Sequence, residues 1–440
     1  MRLIAVLSLF ALVQSALAGD ANNSSWTLDR ALLQLRKSNP DARSAAIRIE
    51  KARAQLDQAR AQLWPKVLAE TGYSATDNPV NAFMMQLNQR QFGFGSDFND
   101  PDTTDNWVSE LRVEYPFYTG GARRAAINGA RLGLEASEHE QKATLSQLEL
   151  EVARAWFQIY QSSEIVKAAQ ALLKNQQSNL QLARNRVDAA TALQTAVLDI
   201  ETKVAEAEAN LAYADNSKQI ATAFLQSLLG IEGNLPFVVA GGLTKIAAAG
   251  DAQMERPELS ALKKRAQQAQ TGVTRAKAER LPTVAGFASG RHDEGFIDRG
   301  AGDSWMVGVM VRLKIWSGGE TKAKIESAQK DADLLNQAQR KQMLAISLQV
   351  KTAQLNLITA RKRITLANKG IHSAGESLQL TRRRFKEGLA LSTQLIDGET
   401  ALTNARVGLA KAQAEEQLAQ AALRSALGLP IRELSEETSK

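Results

Sequence analysis

The chain has 440 residues, no cysteine, 9 prolines and only 3 histidines. That composition excludes disulfides, thiolate metal sites and a cysteine nucleophile. The 54 Lys and Arg against 47 Asp and Glu leave a formal charge of +7, but the basic residues alternate with Glu, Asp and Gln along helical stretches, so they read as solvated helix faces and not as a nucleic-acid footprint.

Met1-Arg2, an apolar run from Leu3 to Leu17 and Ala16-Leu17-Ala18 before Gly19 read as a signal peptide over 1–18, too short for a bilayer span of about 20 residues. No later stretch has the length of a transmembrane helix, so any membrane insertion must come from β-strands. The spacing predicts a helix over 41–63 and strands near 67–76 and 107–117, separated by an Asn, Asp, Gly and Phe-rich loop over 77–106. A long helix over 121–187 follows, on the order of 100 Å at 1.5 Å per residue. A return helix over 191–229 closes the first copy, 19–230.

A second copy, 257–430, follows a linker over 231–256. Trp107 to Gly121 matches Trp305 to Gly319 at an offset of 198 (305 − 107), and the offset holds for Arg186 and Arg384, Asp199 and Asp397, and Glu201 and Glu399. The second copy predicts strands near 283–290 and 305–315, a long helix over 319–387 and a helix over 392–427, with a tail over 431–440. Along both long helices apolar or small residues recur every 3.5 positions on average, as from Leu145 through Val152, Ile159 and Val166 to Val187, the period of a left-handed coiled coil. The strands carry the opposite period. Trp305, Val307, Val309 and Val311 alternate with Gly308 and Arg312, and Trp107, Leu111 and Val113 with Glu110, Arg112 and Glu114. Trp64, Trp107, Trp305 and Trp316 flank them as a membrane aromatic girdle would. Four strands cannot close a membrane barrel, which needs about eight, so several chains must share one.

The signal peptide, the duplicated strand-strand-helix-helix unit, the paired Tyr118-Thr-Gly-Gly121 and Trp316-Ser-Gly-Gly319 turns and the Leu228-Leu-Gly230 and Ala426-Leu-Gly428 helix ends resemble the bacterial outer membrane efflux protein family, the TolC-like channels. The resemblance implies a mainly α fold, a coiled-coil helical barrel continuous with a transmembrane β-barrel, assembled from three chains. It implies a homotrimer in the outer membrane of a Gram-negative bacterium, in contact with outer membrane lipid and extended into the periplasm. Its partners would be a periplasmic adaptor (membrane fusion) protein and an inner-membrane transporter of the RND, ABC or MFS type. The role implied is a passive exit duct for efflux or type I secretion, with no cofactor and no nucleic-acid partner. A belt is assigned to Ile231–Arg256 and the tail after Pro430. The missing cysteine fits the unlipidated branch. The second tip keeps the family's turn glycine as Gly388, whereas the first carries Ala190.

The resemblance also implies a periplasmic entrance gated by Asp199, Asp397 and Arg384, and an adaptor-contact surface at the tips comprising Arg186, Leu193, Phe385, Gly388, Leu391 and Ser392. Local chemistry offers plainer uses for some of these. Lys203 stands four residues after Asp199 and could pair with it; Thr191-Ala-Leu-Gln194 fits a capping box opening the return helix; Gly388 fits a left-handed helix end; the arginines suit helix C-terminal dipoles. Glu110, Arg112, Glu114, Arg312 and Lys314 would line the barrel lumen, where mixed signs argue against strong ion selectivity. His139, His292 and His372 are scattered and the Met84-Met85 pair lacks further ligands, so neither a metal site nor an enzyme is expected. The competing reading is a periplasmic coiled-coil adaptor without a pore, which leaves the four alternating strands unexplained.

Overall fold

The computed structural model describes residues 25–91, 93, 97, 99–232, 243–248 and 255–432. The expected signal peptide, much of the 231–256 linker and the tail beyond Arg432 lie outside the described residues. The elements are α1 (Leu28–Ser38), α2 (Pro40–Ala61), β1 (Lys66–Thr76), α3 (Pro79–Asn88), β2 (Thr104–Tyr118), α4 (Ala122–Asp188), α5 (Gln194–Leu228), α6 (Pro257–Ala278), β3 (Thr283–Glu294), β4 (Ala301–Arg312), α7 (Glu320–Lys386) and α8 (Ser392–Ala426). Among the described residues no helix is long and apolar enough to cross a membrane.

The chain divides into two compact units, 46–140 with 257–343, and the remainder. The first holds a four-stranded antiparallel sheet in the order β1-β2-β3-β4. Both strand-to-helix turns use paired glycines at positive φ, Gly120 and Gly121 at 61° and 87° and Gly318 and Gly319 at 59° and 90°. A side chain on Gly120 would stand 2.8 Å from the Ala278 carbonyl, so this turn needs glycine for space as well as for its left-handed backbone. The ladder also departs from the sequence pattern at its ends. β2 begins at Thr104 and β3 runs to Glu294, because Thr76 pairs with Thr104 and Asp293 with Gly302. β4 stops at Arg312, short of 315, since its last partner is Thr283. Pro282 precedes that residue and has no N–H to extend the ladder.

The second unit contains the helical hairpins. Around its core, α1, the middle of α4, the ends of α5 and α8 and Ile431 bury Leu28, Leu32, Leu35, Trp156, Phe157 and Leu225. Helix α1, absent from the sequence expectation, is capped by the Thr27 hydroxyl on the Arg30 N–H at 3.2 Å. The described part of the linker docks on the same core, Trp156 donating to Thr244 at 3.2 Å and Gln417 accepting from the Ile246 N–H at 2.7 Å. At the tips a separate cluster, Ala183, Val197, Ile200, Leu378, Phe385, Leu395 and Ile396, packs the two hairpins together.

Candidate functional site

Both long helices end in the same way at the tips. The Thr191 N–H bonds the Arg186 carbonyl at 2.9 Å and the Ala190 N–H bonds Val187 at 2.9 Å; in the second copy Leu389 bonds Arg384 at 2.8 Å and Gly388 bonds Phe385 at 3.1 Å. This is the Schellman pattern, which requires a left-handed residue at its centre. Gly388 supplies it with φ 81°, and Ala190 is held there with φ 54°. The alanine therefore does not change the turn; it makes the same turn under strain.

Thr191 does not open a capping box. Its hydroxyl turns back to the Arg186 carbonyl at 3.0 Å, and the N-caps are Leu193 and Leu391, which have no side-chain acceptor. Gln394 Oε1 instead accepts from the Leu391 N–H at 3.2 Å. Leu193 and Leu391 stand 77% and 68% exposed.

Arg186 joins the two hairpins. Its Nη1 donates to the Phe385 carbonyl at 2.8 Å, its Nη2 to the Thr191 carbonyl at 3.2 Å, and its guanidinium lies 5.3 Å from the Phe385 ring centroid. Asp199 is tied to the second hairpin too, accepting from Ser392 Oγ at 3.2 Å. The pairing of Asp199 with Lys203 does not form, because Lys203 turns to Glu206 at 2.7 Å. Phe385 and Ser392, expected on a docking surface, are buried in the single chain: Phe385 packs in the tip cluster and Ser392 donates to Asp199. Arg384 and Asp397 are exposed, and their side chains make no hydrogen bond or ion pair among the described residues.

Two turns inward lies a pair that the sequence reading did not bring together. Arg382 forks onto Glu399, through Nε at 2.8 Å and through Nη2, and Asn175 donates to the other carboxylate oxygen at 3.1 Å. The 198-residue offset could have found it, since it relates this pair to Arg184 and Glu201, which meet at 2.7 Å.

On the sheet, Glu110, Arg112 and Glu114 share one face. Arg112 donates to Glu110 at 2.8 Å and lies 3.9 Å from Glu114, with Glu70 and Arg291 opposite Glu110 on the flanking strands. Arg312 is on this face as well, by its register with Thr283. Lys314 is not a strand residue; it sits beyond β4 in the turn and pairs with Glu320 at 3.4 Å. Lys324, 2.8 Å from Glu320, and Lys314 together hold the Glu320 carboxyl below its usual range. The opposite face carries Trp305, Val307, Val309 and Val311, between 65% and 80% exposed. Among the described residues no group of three His, Cys, Asp or Glu could hold a metal ion.

A sequence profile described as outer membrane efflux protein matches residues 31–231 and 248–429. The chain belongs to the outer membrane efflux protein family. It is 24% identical over 413 residues to the pyoverdine export outer membrane protein OpmQ of Pseudomonas putida, covering 91% of this chain and 85% of that one. It is 24% identical over 391 residues to the protein CyaE of Bordetella pertussis, covering 84% and 77%. Among solved structures, the Campylobacter jejuni CmeC outer membrane channel matches with a TM-score of 0.78 at 17% identity, covering 96% and 91%, and the outer-membrane channel OprN with 0.76 at 21%, covering 92% and 90%. This likeness shows the fold, mainly helical coiled coil with barrel strands. The family member described here is an outer membrane exit duct of the kind used by efflux and secretion systems, and the family and its relatives are channels and not enzymes.

Proposed function

We propose that the duct is a homotrimer in which three four-stranded sheets close one barrel through the outer membrane, and in which the hairpin tips form a gated periplasmic entrance. A periplasmic adaptor docks on those tips, and an inner-membrane transporter of the RND, ABC or MFS type supplies the energy. The observation that carries this is the sheet: β1 and β4 are unpaired edges, and one face presents a continuous apolar stripe. An open edge in lipid costs several kcal/mol per unsatisfied group, so the edges must pair with other copies. The polar face with Glu110, Arg112, Glu114 and Arg312 then lines the lumen.

The repeat offset supports the gate. Within one chain the first hairpin reaches the second through Arg186 to the Phe385 carbonyl and through Ser392 to Asp199. Shifting each residue by 198 positions gives Arg384 to the Val187 carbonyl and Gln194 to Asp397, between neighbouring copies. Among the described residues the side chains of Arg384 and Asp397 make no hydrogen bond or ion pair within the single chain, which leaves them available for these contacts. The exposed Leu193, Leu389 and Leu391 at the tips suit an adaptor. Cargo follows the partner pump: one relative is named for pyoverdine export and another for alkaline protease secretion.

Single-channel conductance of the purified protein in a planar bilayer, with its mass measured in the same detergent, tests the reading. A trimer with small openings is expected. A monomer or dimer with no conductance overturns it in favour of a poreless periplasmic adaptor.

A further inference from the structure

The long β1–β2 connection contains α3, and α3 is fastened to the sheet by its charged face. Gln86 Nε2 reaches Thr104 Oγ1 at 3.3 Å, and Gln89 Nε2 reaches the Asp105 carbonyl at 2.6 Å and Asn106 Oδ1 at 3.0 Å. Thr104 and Asn106 point to the same side as Glu110, six and four residues before it on a strand of alternating faces. The fastening continues through buried groups, Asn106 Nδ2 donating to Asp293 Oδ1 at 2.6 Å and Arg291 forking onto Asp293 at 2.8 Å. The chain then crosses to β4. A side chain on Gly302, which shares this face, would collide with the Asn88 carbonyl. The helix therefore lies over the lumen side of the strand ends remote from α4 and α7, which is the external mouth.

On α3 itself the two faces are distinct. Ala82 and Gln89 are buried against the sheet, whereas Val80, Met84 and Leu87 are exposed. These three are spaced i, i+4, i+7 and so lie on one stripe, roughly half a turn of the helix from Ala82 and Gln89. An apolar stripe pointing away from the lumen wall, inside the ring of strands, does not face lipid.

We infer that the stripe is covered by the α3 helices of the other two copies, so that Val80, Met84 and Leu87 form an apolar collar closing the external mouth. The inference rests on the trimeric reading. Strands about 4.8 Å apart and tilted about 40° give three such sheets a barrel about 24 Å across, and three helices about 10 Å across set against its wall leave no open axis. A constriction lined by apolar side chains holds back ions by dewetting. The duct then has a seal at its outer end in addition to the tips, and its buried anchor, Gln89 on Asn106 and Asp293, sets how firmly it stays in place.

The chain has no cysteine, so single cysteines report proximity without background. In the full-length protein, M84C treated with a short bis-maleimide is expected to lose its monomer band on a denaturing gel, and V309C, on the lipid side of the sheet, to keep it. M84C monomer that persists in a sample shown to be trimeric and conducting overturns the collar and leaves the duct intact. Labelling of M84C by a maleimide-bearing phospholipid in vesicles, in place of crosslinking, puts the stripe against the bilayer and overturns it as well. A sample that is neither trimeric nor conducting overturns the collar together with the trimeric reading on which it rests.

Discussion

Arg382 and Glu399 form a charged pair in which the carboxylate side chain is 2% exposed, while their counterparts one repeat earlier, Arg184 and Glu201, meet with side chains 51% and 40% exposed. The same two residue types at the same spacing thus do different work. Removing one partner of a buried pair leaves an uncompensated charge and costs about 3–5 kcal/mol, whereas an exposed pair contributes at most about 1 kcal/mol.

Arg382→Ala is therefore expected to loosen the tip by about 3 kcal/mol, the low end because the guanidinium is itself 42% exposed. Arg184→Ala is expected to change it by less than about 1 kcal/mol. Amide hydrogen exchange over 175–186 and 392–400 reads both. Equal protection in the two variants would mean that burial of Glu399 does not matter.

Ala190 and Gly388 give a second contrast. A left-handed backbone costs a non-glycine residue about 1 kcal/mol, so Ala190→Gly is expected to slow local opening of the first tip. Gly388→Ala is expected to speed opening of the second by a similar or larger amount, since the new methyl would also stand 3.0 Å from Arg186 Nη2. Protease sensitivity of the turns measures both directions. A faster cut in Ala190→Gly would contradict the strain at that residue.

These tips also show what the sequence made legible and what it hid. The 198-residue offset, the 3.5-residue seam and the two-residue alternation declare themselves because each repeats many times along the chain, and together they specify coiled-coil hairpins and barrel strands. The tip residues behave otherwise. Whether Phe385 and Ser392 face a partner or the other hairpin depends on Arg186 and Asp199, close to 200 positions away, and no local pattern carries that information. Thr191 fits a cap for the return helix by sequence, but its hydroxyl goes to the Arg186 carbonyl at the strained helix end. Lys203 had carboxylates on both sides, Asp199 and Glu206, and it takes Glu206 while Asp199 accepts from Ser392 of the second hairpin. Helix α3 is too short and too mixed in composition for its period to stand out from a loop.

At the entrance, Asp397→Ala is expected to leave the fold and oligomer mass unchanged, because the carboxylate has no partner among the described residues of its own chain. It is expected to weaken block of the channel by multivalent cations. Asp199→Asn keeps an acceptor for Ser392 and is expected to do less. Identical cation block in wild type and Asp397→Ala would remove Asp397 from the gate.

The Glu320 cluster gives a pH dependence with a definite sign. Its folded carboxyl is held below the ordinary value of 4.5 by Lys324 and Lys314. The stabilisation is thus fully present above about pH 4.5 and is lost as the pH falls through the lower, folded value. Glu320→Gln removes the term, so the variant and wild type are expected to differ in thermal stability at neutral pH and to converge in acid. A gap that is constant with pH would show that the ion pairs contribute nothing.

The two faces of β4 make the strongest claim about environment. Val309 lies on the apolar stripe, and Met310, its neighbour in sequence, points to the polar side. If the stripe meets hydrocarbon, Val309→Arg costs about 2–4 kcal/mol near the middle of the bilayer. Met310→Arg, joining a face that already bears Arg112 and Arg312, is expected to fold nearly as well as wild type and to shift ion preference toward anions. Folding yield into lipid vesicles separates the two substitutions, and reversal potentials in a salt gradient then test the second. A periplasmic sheet with one face on water would tolerate arginine at Val309, where it is already exposed in the single chain. Tolerance at Val309 with failure at Met310 would therefore invert the assignment of lipid and lumen.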